Sequence, residues 1–157
     1  MSPLIQYALD AIESDDAEVV GEGFLTLAEV VAVNRIQNFR SDIIPEANNE
    51  ILELPTLDEI RLAVRDWIER NPDHVQAGAA FWVLDKFRDE SLLPFLRQWL
   101  ERYVHRIKSC LPTLGQILVD LDSLGEPAIS DKSYSVIEHG KNLDDAIRYL
   151  NSTRKEA

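Results

Sequence analysis

The chain has 157 residues, 45% of them apolar and 28% charged, with a formal net charge of −12. That length favours one domain with a core that needs no covalent staple, and that composition excludes a disordered body. The lone cysteine excludes an intrachain disulfide and a cysteine-based zinc site, and the acidic balance opposes binding to nucleic acid or anionic membrane.

Ser2 is placed to cap a first helix with Pro3 at its first position. Leu4, Tyr7, Ala8, Ala11 and Ile12 share one face of it. The opening MSPLIQYALD carries neither a basic segment nor a long apolar run. No apolar stretch reaches the roughly 20 residues that span a bilayer, so the expected compartment is the cytoplasm. Ser14-Asp15-Asp16 closes the first helix and opens a second, in which Val20, Phe24, Leu27 and Val31 keep helical spacing. Gly21 and Gly23 either weaken this helix, by about 1 kcal/mol each relative to alanine, or admit a close neighbour. Residues 35–55, with Ser41, Pro45, Asn48-Asn49 and Pro55, are the least regular. A short helix over 46–52 and a long surface loop both fit them.

Thr56-Leu57-Asp58-Glu59 has the form of a capping box. The helix it starts buries Ile60, Val64, Trp67 and Ile68 and stops before Asn71-Pro72. Asn71 and Pro72 then start another, with Val75, Ala79, Trp82 and Val83 inward and Phe87 at its end. Ser91 caps the next, with Leu93, Leu96, Trp99, Leu100 and Tyr103 on one side. Residues 72–106 therefore read as an antiparallel hairpin. A helix from Leu111 to Leu124 buries Leu114, Ile117, Leu118 and Leu121 and ends at Gly125. Residues 127–140 read as loop, with a short extended piece at 134–137. Asn142 caps a last helix with Leu143, Ala146, Ile147 and Leu150 inward, and 151–157 form a frayed polar tail. The expected fold is one all-α domain over 1–157, a compact irregular bundle of antiparallel helix hairpins.

The segment VQAGAAFWVLDKFRDESLLPFLRQWLER resembles a HEAT-type repeat. Ala79, Ala80, Leu84, Asp89, Leu93, Pro94 and Leu96 hold the places where that family has a small-residue helix, an acidic turn and a Leu-Pro start. The period is not sustained, so the resemblance implies a HEAT-like domain rather than a regular solenoid. LGQILVDLDSLGEPAIS and NLDDAIRYL resemble small bacterial immunity-type proteins. That resemblance implies tight binding to a toxin domain, with no catalysis by the chain itself.

Chemistry-bearing motifs are sparse. Asp120, Asp122 and Glu126 read as a solvated helix end, because positions 120 and 122 point about 200° apart. His74, His105 and His139 lack the spacing of metal ligands. Cys110, near Ser109 and His105, reads as a buried structural thiol, since no orienting third group accompanies it. Arg97, Arg102, Arg106 and Lys108 with Trp99 and Tyr103 suggest RNA contact, but those aromatics fit the apolar face and the net charge opposes it. Phosphate-loop, nucleophile-elbow and metalloprotease motifs are missing. No enzyme activity, cofactor or metal is expected.

Charge is the remaining signal. Residues 1–78 hold 5 Lys and Arg against 16 Asp and Glu, a balance of −11, while residues 79–157 hold 11 against 12, a balance of −1. Two acidic clusters stand out: Asp15, Asp16, Glu18 and Glu22, and then Asp58, Glu59, Asp66 and Glu69. Each is either a solvated face or a contact surface for a basic protein partner, such as a toxin domain. The competing expectation is a structural scaffold or oligomerising adaptor that uses apolar helix faces.

Overall fold

Proline and short polar side chains set several of the helix starts. In the computed structural model, which describes residues 1–105, 111–130 and 141–156, Ser2 caps α1 (Pro3–Ala11) by accepting from the Ile5 amide. Asp16 caps α2 (Ala17–Arg35) through the Glu18 amide. Pro55 sits in the first turn of α3 (Leu54–Arg70), and Pro94 in that of α5 (Leu93–Val104). The other helices are α4 (Ala77–Lys86), α6 (Leu111–Ser123) and α7 (Lys141–Glu156). Short 3-10 turns occupy Pro45–Asn49 and Glu90–Leu92. No strand occurs among the described residues. The chain divides into two compact units, Met1–Arg88 and Asp89–Ala157.

In the first unit α2 is the central element, packed on α1 and α4, and α4 also packs on α3. Ile5 and Ala8 of α1, Phe24, Leu27 and Val31 of α2, Ile60, Val64 and Trp67 of α3, and Phe81 and Leu84 of α4 form its core. Trp67 links three parts of the chain. Its Nε1 donates to the Ile12 carbonyl at 2.8 Å, and its ring meets Phe24 edge-on at 4.8 Å and His74 at 5.1 Å. Residues 36–53 are held by side chains that cap backbone. Asn34 donates to the Glu50 carbonyl and accepts from the Leu52 amide, and Asn48 exchanges two hydrogen bonds of 2.8 Å with the Ser41 backbone.

In the second unit α5, α6 and α7 pack mutually. Leu96, Trp99, Leu100 and Tyr103 of α5, Leu114, Ile117, Leu118 and Leu121 of α6, and Ala146, Tyr149 and Leu150 of α7 are buried and form its core. Gly125 ends the α6 region at φ 88°, a conformation that favours glycine.

Several local expectations give way. α3 starts two residues before Thr56, with Glu53 at its cap, so the capping box does not form. α4 begins at Ala77 rather than at Pro72, because residues 71–76 turn: the Gln76 amide donates to His74 Nδ1 and Gln76 Nε2 to the Ala17 carbonyl. Val75 is consequently 81% exposed. Asp89, not Ser91, caps the turn before α5. Tyr7 and Ile147 are exposed, and Ile5 and Tyr149 take the inward places. α7 continues through residues 151–156, where the polar composition suggests fraying. α4 belongs to the first unit and α5 to the second, so the hairpin expected over 72–106 is divided by the unit boundary. The extended piece at 134–137 lies outside the described residues.

The two helical glycines differ in what surrounds them. A Cβ on Gly23 would stand 2.9 Å from the Ala8 carbonyl oxygen and 2.9 Å from Ile12 Cγ2, so α1 itself would have to move. On Gly21 it would meet only the end of the Gln76 side chain. Gly23→Ala is expected to destabilise the chain by about 1–3 kcal/mol in urea unfolding, and Gly21→Ala to stay near neutral.

Candidate functional site

α3 displays its charge because its two faces are chemically distinct. Leu57, Ile60, Val64, Trp67 and Ile68 are buried, and at about 100° per residue they occupy one side of the helix. Leu54, Asp58, Glu59, Leu62, Asp66 and Glu69 are exposed and occupy the opposite side. All four sequence-derived carboxylates of this cluster therefore share the outer face of one helix. The other four, Asp15, Asp16, Glu18 and Glu22, are also exposed, at the start of α2.

Arg70 ties α3 to the turn before α2. Its guanidinium donates to Asp66 at 2.9 Å on its own helix and to both oxygens of Glu13, at 2.7 and 3.1 Å, in the turn between α1 and α2. The hydrogen bond to Glu13, and then that to Asp66, raises its pKa above the ordinary arginine value. This pairing brings the C-terminal half of α3 against the turn that carries Asp15 and Asp16. Asp58 and Glu59 lie about two turns further along α3, roughly 12 Å away. Asp58 pairs with Arg61 at 2.8 Å. The exposed Glu13 and its bridge to Arg70 were not legible in the sequence, because residues 13 and 70 meet only through the fold.

The remaining candidates lead elsewhere. Asp120 is 1% exposed and accepts from Gln116 Nε2 at 2.9 Å, so it is part of the α6 interior and not a solvated helix end. Glu126 points to a different cluster, in which it accepts from Tyr149 Oη at 2.6 Å and pairs with Arg97, while Arg97 Nε donates to Tyr149 Oη at 2.8 Å. Arg97 is thereby held by Glu126 and Tyr149, with its side chain 37% exposed. Asp145 is also buried and accepts from the Ser130 amide at 3.2 Å, with Arg148 nearby at 3.6 Å. His74 packs on Trp67, and His105 is exposed. Among the described residues, no group of three His, Cys, Asp or Glu side chains is placed to hold a metal. Arg106, Lys108, Ser109, Cys110 and His139 lie outside the described residues. No helix among the described residues is long and apolar enough to cross a membrane.

The cluster of Arg97, Glu126 and Tyr149 is a polar clamp between helices. Burial, and then the hydrogen bond to Glu126, push the Tyr149 phenol up to about 12. Its own hydrogen bond to Glu126, and then that from Arg97, hold the carboxyl below the usual range. No known protein family, curated protein or solved structure matches the chain.

Two consequences of the clamp can be measured. The lowered pKa of Glu126 supplies stability above the ordinary carboxylate range that is lost as pH falls through the folded value. The raised pKa of Tyr149 supplies stability below about pH 10 that is lost between there and about pH 12. Tyr149→Phe keeps the ring, removes the hydroxyl bonds and is expected to cost about 1–2 kcal/mol in urea unfolding. It is also expected to remove a phenol that titrates near 12 from an ultraviolet titration.

Proposed function

We propose that the chain is a non-catalytic protein-binding module that holds a basic protein against the acidic surface of its first unit. A basic toxin domain is the partner that the immunity-type resemblance implies, and a helical, HEAT-like architecture suits such a task. The observation that carries this reading is the face of α3. Asp58, Glu59, Asp66 and Glu69 all stand on the side opposite Ile60, Val64 and Trp67, and Arg70 ties that helix to the turn bearing Asp15 and Asp16.

The wider charge supports it. Residues 1–88 carry 7 Lys and Arg against 17 Asp and Glu, a balance of −10, and residues 89–157 carry 9 against 11, a balance of −2. A field so biased draws basic proteins toward one part of the chain and speeds their encounter, and salt screens it over about 8–10 Å. The carboxylates are solvated, so their contribution is to rate and orientation more than to residual affinity.

Stopped-flow association with a small basic protein tests this directly. Reversing Asp58, Glu59, Asp66 and Glu69 to Lys is expected to slow association about tenfold or more at low salt. Reversing the exposed Asp144 and Glu90 is expected to change it little. The buried Asp145 is unsuitable as a control, because its reversal disturbs the fold. A rate that does not respond to ionic strength contradicts acidic steering and favours a scaffold that assembles through apolar faces.

A further inference from the structure

α3 carries Arg61, Arg65 and Arg70 as well as its four carboxylates, and its outer face is not uniformly polar. Among the described residues, Ile51 is 92% exposed, Leu54 69% and Leu62 60%, and all three fall within a short stretch of chain. Scattered exposed leucines are ordinary, but these have a pattern. Leu54, Asp58, Leu62 and Asp66 follow each other at four-residue intervals, which places them in one row along the helix. The two leucines stand about 12 Å apart, with Asp58 between them and Asp66 beyond. Glu59 and Glu69 border the row. Ile51 precedes it, and its position is set by Asn34, which clamps the flanking Glu50 carbonyl and Leu52 amide at 2.7 and 2.8 Å.

Such a row is matched by one kind of partner. We propose that the outer face of α3 docks an amphipathic basic helix, whose apolar side chains seat on Ile51, Leu54 and Leu62 and whose Lys or Arg side chains meet Glu59 and share Asp58 and Asp66 with Arg61 and Arg70. This deepens the reading of the chain as a binder of basic proteins and rests on it. Packed helices interlock through rows of residues four apart, so a partner helix with apolar and basic positions in the same alternation fits along the row. The leucines supply the desolvated centre that charge alone does not, and the carboxylates supply register.

A second copy of the chain is a poorer occupant. An antiparallel copy centred on residue 60 sets Leu54 against Asp66 and Leu62 against Asp58. One centred on residue 58 joins Leu54 to Leu62 but sets Asp58 against its own copy. A parallel copy in register joins each leucine to its like but sets Asp58 on Asp58 and Asp66 on Asp66. Each of these three registers buries a charge against a leucine or against its like, which is unfavourable. An anionic membrane is repelled by the same carboxylates.

Fluorescence anisotropy with two labelled peptides tests the proposal. One is an amphipathic helix of leucine and lysine, roughly 18 residues long to match the length of α3. The other is an oligolysine of equal charge. The full chain is expected to bind the leucine–lysine peptide at least tenfold tighter than oligolysine. Leu54→Ser with Leu62→Ser is expected to bring the two affinities together and to leave oligolysine binding unchanged. Leu54→Ala with Leu62→Ala, which keeps helix propensity, is expected to do the same, with the thermal transition of both variants unmoved. Equal binding of the leucine–lysine peptide by wild type and variants overturns the docking proposal. The reading as a basic-protein binder then survives if Glu59→Lys with Asp66→Lys still weakens oligolysine. Failure of both peptides to bind at low salt removes both. A wild-type dimer in sedimentation equilibrium that dissociates in the serine variant assigns the leucines to a second copy and also overturns the proposal.

Discussion

The hydrogen bond from the Trp67 indole to the Ile12 carbonyl is the constraint on which the first unit turns. The Ile12 carbonyl lies at the end of α1, where helical backbone acceptors run out of partners. A buried indole N–H needs an acceptor as much as that carbonyl needs a donor. By satisfying both, Trp67 fixes α3 to α1, and its ring fixes α3 to Phe24 of α2 and to His74 before α4. Removing the ring would open a cavity where three helices and a turn converge, in the range of about 3–5 kcal/mol for an aromatic deleted from a core.

That anchor decides what α3 shows to solvent. A helix pinned along Ile60, Val64, Trp67 and Ile68 has no freedom to rotate, so the opposite row stays outward. Arg70 then adds a second tie on the exposed side, bidentate to Glu13. Its side chain is about half exposed, so this pair contributes to geometry more than to stability. The result is that one guanidinium holds carboxylates from two chain segments, Glu13 and Asp66. Asn34 extends the same order to the chain entering α3 by giving the backbone around Ile51 fixed hydrogen-bond partners.

Much of this was legible where apolar spacing is unambiguous. Val20, Phe24, Leu27 and Val31 of α2, the inward row of α3, and Leu114, Ile117, Leu118 and Leu121 of α6 follow from periodicity alone. The exposed carboxylates follow as its complement. What periodicity misses is buried polarity. In α7 the inward face is Asn142, Asp145, Ala146, Tyr149 and Leu150, and two of these look like solvent residues until their surroundings are known. The same blindness hides Asp120. The start of α4 was missed for a different reason. Asn71-Pro72 is a good helix opening in isolation, but Gln76 and His74 bind the backbone into a turn that delays the helix to Ala77. Capping preferences are local, and long-range contacts override them. The apolar members of the α3 row escaped notice because an exposed leucine has no signature in sequence.

Nuclear magnetic resonance mapping of the full chain, titrated with the leucine–lysine helical peptide, tests the account most directly. The largest amide shifts are expected at Ile51, Leu54, Asp58, Glu59, Leu62 and Asp66. The Trp67 indole proton should move little, because its bond to Ile12 lies on the other side of the helix. Shifts concentrated in α5 to α7, or a displaced indole signal with α3 amides unmoved, would contradict it.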